Sequence, residues 1–169
     1  MSIDPGFTCS SCGERHTELP MSYSAAAPDV WNAGFEADAD SMLSSDQCVI
    51  KGHHFFIRGM IEIPVIGSTD IFSWGVWVSL SRDDFTRALD VWNAEGREAE
   101  KPYFGWLSTE LALYSEGTAD LKTNAHTRPV GKRFSIELEP TGHPLAVEQR
   151  TGITRERVRE IAMAVLHPA

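Results

Sequence analysis

Large apolar residues alternate with small or polar residues along the middle of the chain, and this period of two predicts β-strands. The alternation is clearest in residues 71–80, where one face carries Phe72, Trp74, Val76, Val78 and Leu80. We expect this face to contribute to the core. Residues 47–51 and 53–65 are also strand-like and flank Gly52, which predicts a hairpin leading into that strand.

A second hairpin and two helices are predicted further along the chain. Residues 121–128 and 133–139 alternate in the same way on either side of a turn. Residues 81–95 predict a helix that begins at Ser81, and its apolar stripe consists of Phe85, Leu89 and Trp92. A final helix follows Thr154, and its stripe consists of Val158, Ile161, Ala162 and Val165.

These elements predict an α+β fold, with an antiparallel sheet packed by about two helices. The length of 169 residues fits one domain. Within it we expect an irregular N-terminal segment over residues 1–46, sheet and helix over residues 47–139, and helices over residues 140–169. The N-terminal segment is expected to resemble a zinc knuckle.

Composition and charge exclude several classes of protein. With 42% hydrophobic and 23% charged residues, the chain is not a disordered tail or a coiled coil. No apolar run reaches the roughly 18 residues needed to span a bilayer, and residues 1–6 lack the features of a secretory signal. The net charge of −9 repels nucleic acid, which makes it an unlikely partner. We expect a cytoplasmic protein.

The three cysteines and one histidine predict a zinc site. Cys9 and Cys12 are separated by two residues, and His16 follows four positions after Cys12. Two thiolates at this spacing can hold one soft cation, and an imidazole there can reach the same ion. A closed tetrahedral site needs a fourth ligand, for which Cys48 is the natural candidate. The alternatives are a redox-active dithiol and cysteines without a special role.

A polar groove is the second candidate site. Lys122, Asn124, His126 and Arg128 share one face of their predicted strand. If Arg58, Glu62 and Trp77 lie on the same side, the groove would bind a carboxylate or a phosphate. Alternatively, this is only the solvated face of a sheet, on which Arg58 and Glu62 pair with each other. A further polar cluster is expected at a helix start near His143. The candidate ligand-binding residues are Arg58, Trp77, His126 and His143.

Seven short motifs spread along the chain resemble one bacterial family. They are FTCSSCG at residues 7–13 with His16, DQCVI at 46–50, HFFIRG at 54–59, IEIPV at 61–65, WGVW at 74–77, FGWL at 104–107 and HPLAVEQ at 143–149. In this order they resemble domain-of-unknown-function family 2199. The resemblance runs from about Phe7 to Leu166 and implies a free-standing bacterial domain, without assigning an activity, substrate or partner.

A shorter resemblance concerns the C-terminal segment. Residues 152–161 are similar to the recognition-helix region of primary bacterial sigma factors, where a helix-turn-helix enters the major groove. There Arg150, Arg155, Arg157 and Arg159 would contact phosphates. The alternative is an amphipathic helix with a charged outer face.

Three functional hypotheses follow from these residues. The leading one is a non-catalytic binding or regulatory domain, stabilised by a structural zinc ion, that recognises a small molecule or a protein. The second is an enzyme that uses zinc with an open coordination position, or a groove near Arg58, His126 and His143. The third is DNA binding through the C-terminal helix. The sequence leaves the oligomeric state open.

Overall fold

The computed structural model describes residues 6–9, 12–16 and 18–166. Most strands within these ranges belong to one sheet. The strands are β1 (Phe7–Thr8), β2 (Arg15–His16), β3 (Ser22–Ser24), β4 (Met42–Leu43), β5 (Gln47–Ile50), β6 (His54–Pro64), β7 (Ile71–Leu80), β8 (Tyr103–Leu107), β9 (Lys122–His126) and β10 (Phe134–Leu138). The α-helices are α1 (Arg82–Asp90), α2 (Pro144–Thr151) and α3 (Arg155–Leu166), and short 3-10 helices span Ala33–Ala37 and Arg97–Ala99.

Strands β6 to β10 close into a five-stranded barrel. Each strand pairs antiparallel with the next along the chain, and β10 then pairs with β6. Strands of an antiparallel meander alternate in direction, so the first and last of five point the same way. The closing pair, in which Phe134 and Ser135 lie opposite Gly59 and Met60, is therefore parallel.

The predicted α+β class is confirmed, but the simple antiparallel sheet with about two helices is corrected to a closed barrel with three α-helices within the described residues. Closure depends on the length of two strands. Strand β6 has 11 residues, so its first half pairs with β5 and its middle with β10. Strand β7 has 10 residues and divides its edge between β3, in parallel, and β8. Alternation along a single strand does not reveal that one edge serves two partners.

The apolar face predicted for β7 is buried as expected. It joins one large core with residues of the other barrel strands and with apolar residues of all three helices. The opposite face of β7 is also covered, because Trp77 is fully buried in a second, smaller cluster with Cys48, Ile50 and Phe56. Both faces of the central hairpin therefore carry packed apolar side chains.

Helix α1 is shorter than the predicted 81–95. Ser81 caps it as expected, since its Oγ accepts a hydrogen bond from the Asp84 N–H at 3.1 Å. The stripe was wrong at Leu89, which is 39% exposed, because Ala88 is the residue buried beside Phe85. Beyond the helix, the Trp92 carbonyl accepts a hydrogen bond from Arg97 Nη1 at 2.7 Å instead of continuing the helical pattern.

The C-terminal helices cover one side of the barrel. Val158, Ile161 and Ala162 are buried as predicted, whereas Val165 is 38% exposed at the end of α3. Gln149 of α2 bridges the open edge of β10: its Oε1 accepts from the Leu138 N–H at 2.8 Å, and its Nε2 donates to the Ile136 carbonyl at 2.7 Å. One side-chain amide thus satisfies backbone groups that a neighbouring strand would otherwise pair.

We predict that Gly59→Ala destabilises the barrel by about 1–3 kcal/mol. A Cβ at Gly59 would lie 2.6 Å from Ile136 side-chain atoms and 2.9 Å from the Phe134 carbonyl oxygen, at the parallel closure. Urea unfolding measures the effect. Gly142→Ala is the matched control, since a Cβ there meets nothing within 4 Å. Equal unfolding midpoints for the two variants would contradict close packing at Gly59.

Candidate metal centre and cationic cavity

The N-terminal hairpin brings Cys9, Cys12 and His16 together. Strands β1 and β2 pair antiparallel, and the turn closes through hydrogen bonds from Cys9 N–H to the Glu14 carbonyl at 2.9 Å and from Gly13 N–H to the Cys9 carbonyl at 2.8 Å. Gly13 has a φ of +74°, a conformation that glycine adopts without steric cost. The ligand atoms of the three residues all lie within 4.8 Å of one another.

The geometry of this group fits zinc. Cys12 Sγ lies 3.6 Å from His16 Nε2. Tetrahedral zinc with ordinary Zn–S and Zn–N bonds separates a sulfur and a nitrogen ligand by about 3.6 Å. Cys9 is buried and Cys12 is exposed, and the His16 ring stacks on Phe7 with centroids 5.0 Å apart. Three of the four predicted ligands are therefore close enough to share one ion. Residues 10 and 11 between the cysteines lie outside the described residues.

Cys48, the predicted fourth ligand, is not part of this group among the described residues. It lies on β5 opposite Phe56 and is fully buried in the second cluster beneath Trp77. Cys9 belongs instead to the large core on the other face of the sheet. Sequence spacing could not reveal this, because a cysteine in a strand is directed to one face by the pairing register.

The metal group, by which we mean Cys9, Cys12 and His16, lies only in the first part of the N-terminal segment. Residues from β3 onward are attached independently, through the pairing of Ser22–Ser24 with β7 and a 2.9 Å hydrogen bond from Trp77 Nε1 to the Ala25 carbonyl. Upstream, Phe7 and Leu19 are buried in the large core. An ion at Cys9, Cys12 and His16 would therefore act on the β1–β2 hairpin alone.

The four predicted ligand-binding residues do not form one groove. His126 is exposed and lies 3.3 Å from Glu137. His143 caps α2: its Nδ1 accepts from the Leu145 N–H at 3.1 Å and its Nε2 donates to the Gly117 carbonyl at 2.7 Å. Both ring nitrogens of His143 are thus engaged in hydrogen bonds to backbone groups of the fold.

Arg58 and Trp77 lie opposite each other on the neighbouring strands β6 and β7. The Arg58 guanidinium carbon lies 5.8 Å from the centre of the Trp77 ring, and Trp77 itself is buried. Glu62 does not pair with Arg58 but with Arg128, at 2.6 Å. Arg58 lines a cavity of about 430 Å³ that His126 and His143 do not reach.

Four charged residues of this cavity were not predicted from the sequence: Asp46, Arg97, Lys132 and Arg133. Asp46 Oδ1 accepts a hydrogen bond from Arg133 Nε at 2.8 Å, and Arg97 is 7% exposed. The one available signal was the run Lys132–Arg133 in the turn before β10. A basic pair in a turn is typical of any solvated loop, so it does not by itself indicate a site.

The arginines of the sigma-like segment are occupied within the chain. Arg157 lies 3.1 Å from Glu148, Arg155 3.5 Å from Asp70, and Arg159 3.4 Å from Glu156. Arg150 donates to the Thr141 carbonyl at 2.8 Å. Phosphate binding would have to compete with these intramolecular acceptors.

The family model described as "uncharacterized protein conserved in bacteria", domain-of-unknown-function family 2199, matches residues 8–153. The chain belongs to this family. The match includes the metal group and the cavity of this family 2199 protein, and it ends before α3. No curated protein and no solved structure matches the chain. Within the described ranges, no helix combines the length and apolarity needed to cross a membrane.

We predict that the free energy of unfolding falls between pH 8 and pH 10 because of Cys48. Burial raises the pKa of this thiol from its ordinary 9.0 to about 11, so the folded state holds the proton more tightly than the unfolded state. The contribution of the protonated Cys48 thiol to the free energy of unfolding is therefore fully present below pH 9, and it is lost as the pH rises towards 11. At pH 10 the loss is about 1 kcal/mol.

Urea unfolding of the protein and of Cys48→Val at pH 8, 9 and 10 measures this contribution. The variant should show the smaller decrease. Tyr103 and Tyr114, whose pKa values are raised to about 12 mainly by burial, begin to add their own losses as the pH approaches 10, equally in the two proteins. Identical slopes for the two proteins below pH 10 would contradict the assignment to Cys48.

Proposed function

We propose that the protein is a small bacterial binding domain whose N-terminal hairpin is held by a structural zinc ion. The observation that carries the metal part is the convergence of Cys9, Cys12 and His16, with ligand atoms within 4.8 Å of one another. Two thiols and an imidazole form a donor set that favours zinc over magnesium or calcium, which prefer oxygen ligands.

The zinc ion would stabilise a short segment that lies outside the main sheet. Strands β1 and β2 have two residues each and form a separate two-stranded sheet. An isolated hairpin of this size is not stable in water. Zinc would close the loop from Cys9 to His16 and so keep Phe7 and Cys9 packed on the core, where both are buried.

We expect chelator-free protein to contain about one zinc per chain, measured by elemental analysis. Cys12→Ser and His16→Asn should each lose most of the metal, because each removes one of three converging ligands. Cys48→Val is the matched control and should retain it, since Cys48 lies on the other face of the sheet. Less than about a tenth of an equivalent in the unaltered protein would refute the proposal.

A second candidate function follows from the number of ligands. The group among the described residues has three members rather than four. Zinc with three protein ligands keeps a position for water, which it can activate at neutral pH. Cys12 is exposed, so solvent reaches this side of the group. The enzyme hypothesis is therefore retained for this position, and not for a site that joins Arg58, His126 and His143.

Cobalt substitution distinguishes the two roles. A structural site should give a tetrahedral Co²⁺ spectrum that is unchanged by azide, because no ligand position is exchangeable. A site with an open position should show a shift of the visible bands on addition of azide. An azide-dependent spectrum would therefore contradict the purely structural role and favour the catalytic one.

A further inference from the structure

The cavity beside Arg58 is strongly cationic although the chain carries a net charge of −9. Its volume is about 430 Å³, and five of its lining residues are positively charged: Arg58, Arg97, Arg128, Lys132 and Arg133. Asp46 is the one carboxylate that lines it within the described part of the chain. A concentration of positive charge around one concave space, in an acidic protein, points to an anionic ligand.

The carboxylates near the cavity do not neutralise these cations. Asp46 pairs with Arg133 at 2.8 Å, and Glu62, which does not line the cavity, pairs with Arg128 at 2.6 Å. Arg58 Nη1 donates to the uncharged Ser45 carbonyl at 3.1 Å. Five cations therefore share two carboxylates, and an excess of positive charge remains in the cavity.

Arg58 shows this excess most directly. Its Nε is buried and has no hydrogen-bond partner among the described residues. Burial, followed by the positive charge of Arg133, lowers the pKa of Arg58, and Asp46 only partly offsets this effect. An anion between the two guanidinium groups would reduce their repulsion and provide hydrogen-bond acceptors.

Arg97 fixes the conformation of the turn that forms one wall of the cavity. Its guanidinium donates to the carbonyls of Arg128 at 2.7 Å, Pro129 at 3.1 Å and Lys132 at 2.8 Å. It also donates to the Trp92 carbonyl, just beyond the end of α1. Arg97 is thus a positioning residue that holds the β9–β10 turn, which carries three of the other cations, in one conformation before any ligand binds.

We propose that this cavity binds a small organic phosphate, with the phosphate group between Arg58, Lys132 and Arg133 and an apolar part against Met60 and Trp92. Arginine forks match phosphate oxygens, and a dianion offsets the excess charge better than a monocarboxylate does. The volume is that of a small-molecule site. A long nucleic acid is disfavoured because the rest of the protein is acidic.

This inference deepens the binding role proposed above but does not depend on zinc. Isothermal titration calorimetry of the full chain with phenyl phosphate, inorganic phosphate and benzoate tests it. We expect phenyl phosphate to bind with a dissociation constant below about 1 mM at low salt. Inorganic phosphate should bind more weakly, since it lacks the apolar part, and benzoate more weakly than phenyl phosphate, since it carries one charge.

Two cavity variants and two controls locate the binding. Lys132→Gln and Arg133→Gln should each weaken phenyl phosphate binding about tenfold, because each removes one cation from the proposed phosphate position. Lys101→Gln makes the same charge change at an exposed residue outside the lining and should leave the affinity unchanged. His16→Asn should also bind normally, which separates failure of the zinc proposal from failure of this one.

Three outcomes would overturn the proposal. The first is no detectable heat with phenyl phosphate or inorganic phosphate at about 10 mM and low salt. The second is an equal loss of affinity in Lys101→Gln and Lys132→Gln, which would indicate a general charge effect. The third is benzoate binding as tightly as phenyl phosphate, which would mean that the cavity recognises a carboxylate instead.

Discussion

The parallel pairing of β10 with the middle of β6 is the constraint on which the rest of this structure depends. It closes the barrel at Gly59, where the two strands and the Ile136 side chain leave no space for a Cβ. The closure encloses the apolar faces of five strands in one core. It also defines the edge of β10 that Gln149 covers, and this contact attaches α2 to the barrel.

The same closure assembles the cationic cavity. Arg133 precedes β10 directly, and the parallel register places it beside the start of β5 and the outer face of β6. There it pairs with Asp46, whose carbonyl also accepts a hydrogen bond from the Arg58 N–H at 3.0 Å. Arg58 is distant in the chain from the β9–β10 turn, so strand pairing brings it beside the three cations that this turn carries. A ligand in the cavity would bridge the two strands that close the barrel.

The metal group is a local feature by comparison. Its three residues lie within one hairpin, and their convergence requires only the β1–β2 pairing and the turn at Gly13. Substitution of these three residues should therefore leave the barrel and the cavity intact. The two candidate sites are thus physically independent: one lies in the peripheral β1–β2 hairpin, and the other lies at the closure of the barrel.

The sequence by itself determined the features that depend on neighbouring residues. The β5–β6 hairpin, the second hairpin, the Ser81 cap and the clustering of Cys9, Cys12 and His16 follow from short spacings, because side-chain period and turn geometry act over a few residues. Tertiary structure decided the rest. Closure of the barrel, the separation of Cys48 from the metal group and the burial of Arg97 depend on which strand edge meets which. Such pairings are set by packing across the whole core, and a linear pattern of polar and apolar residues does not specify them.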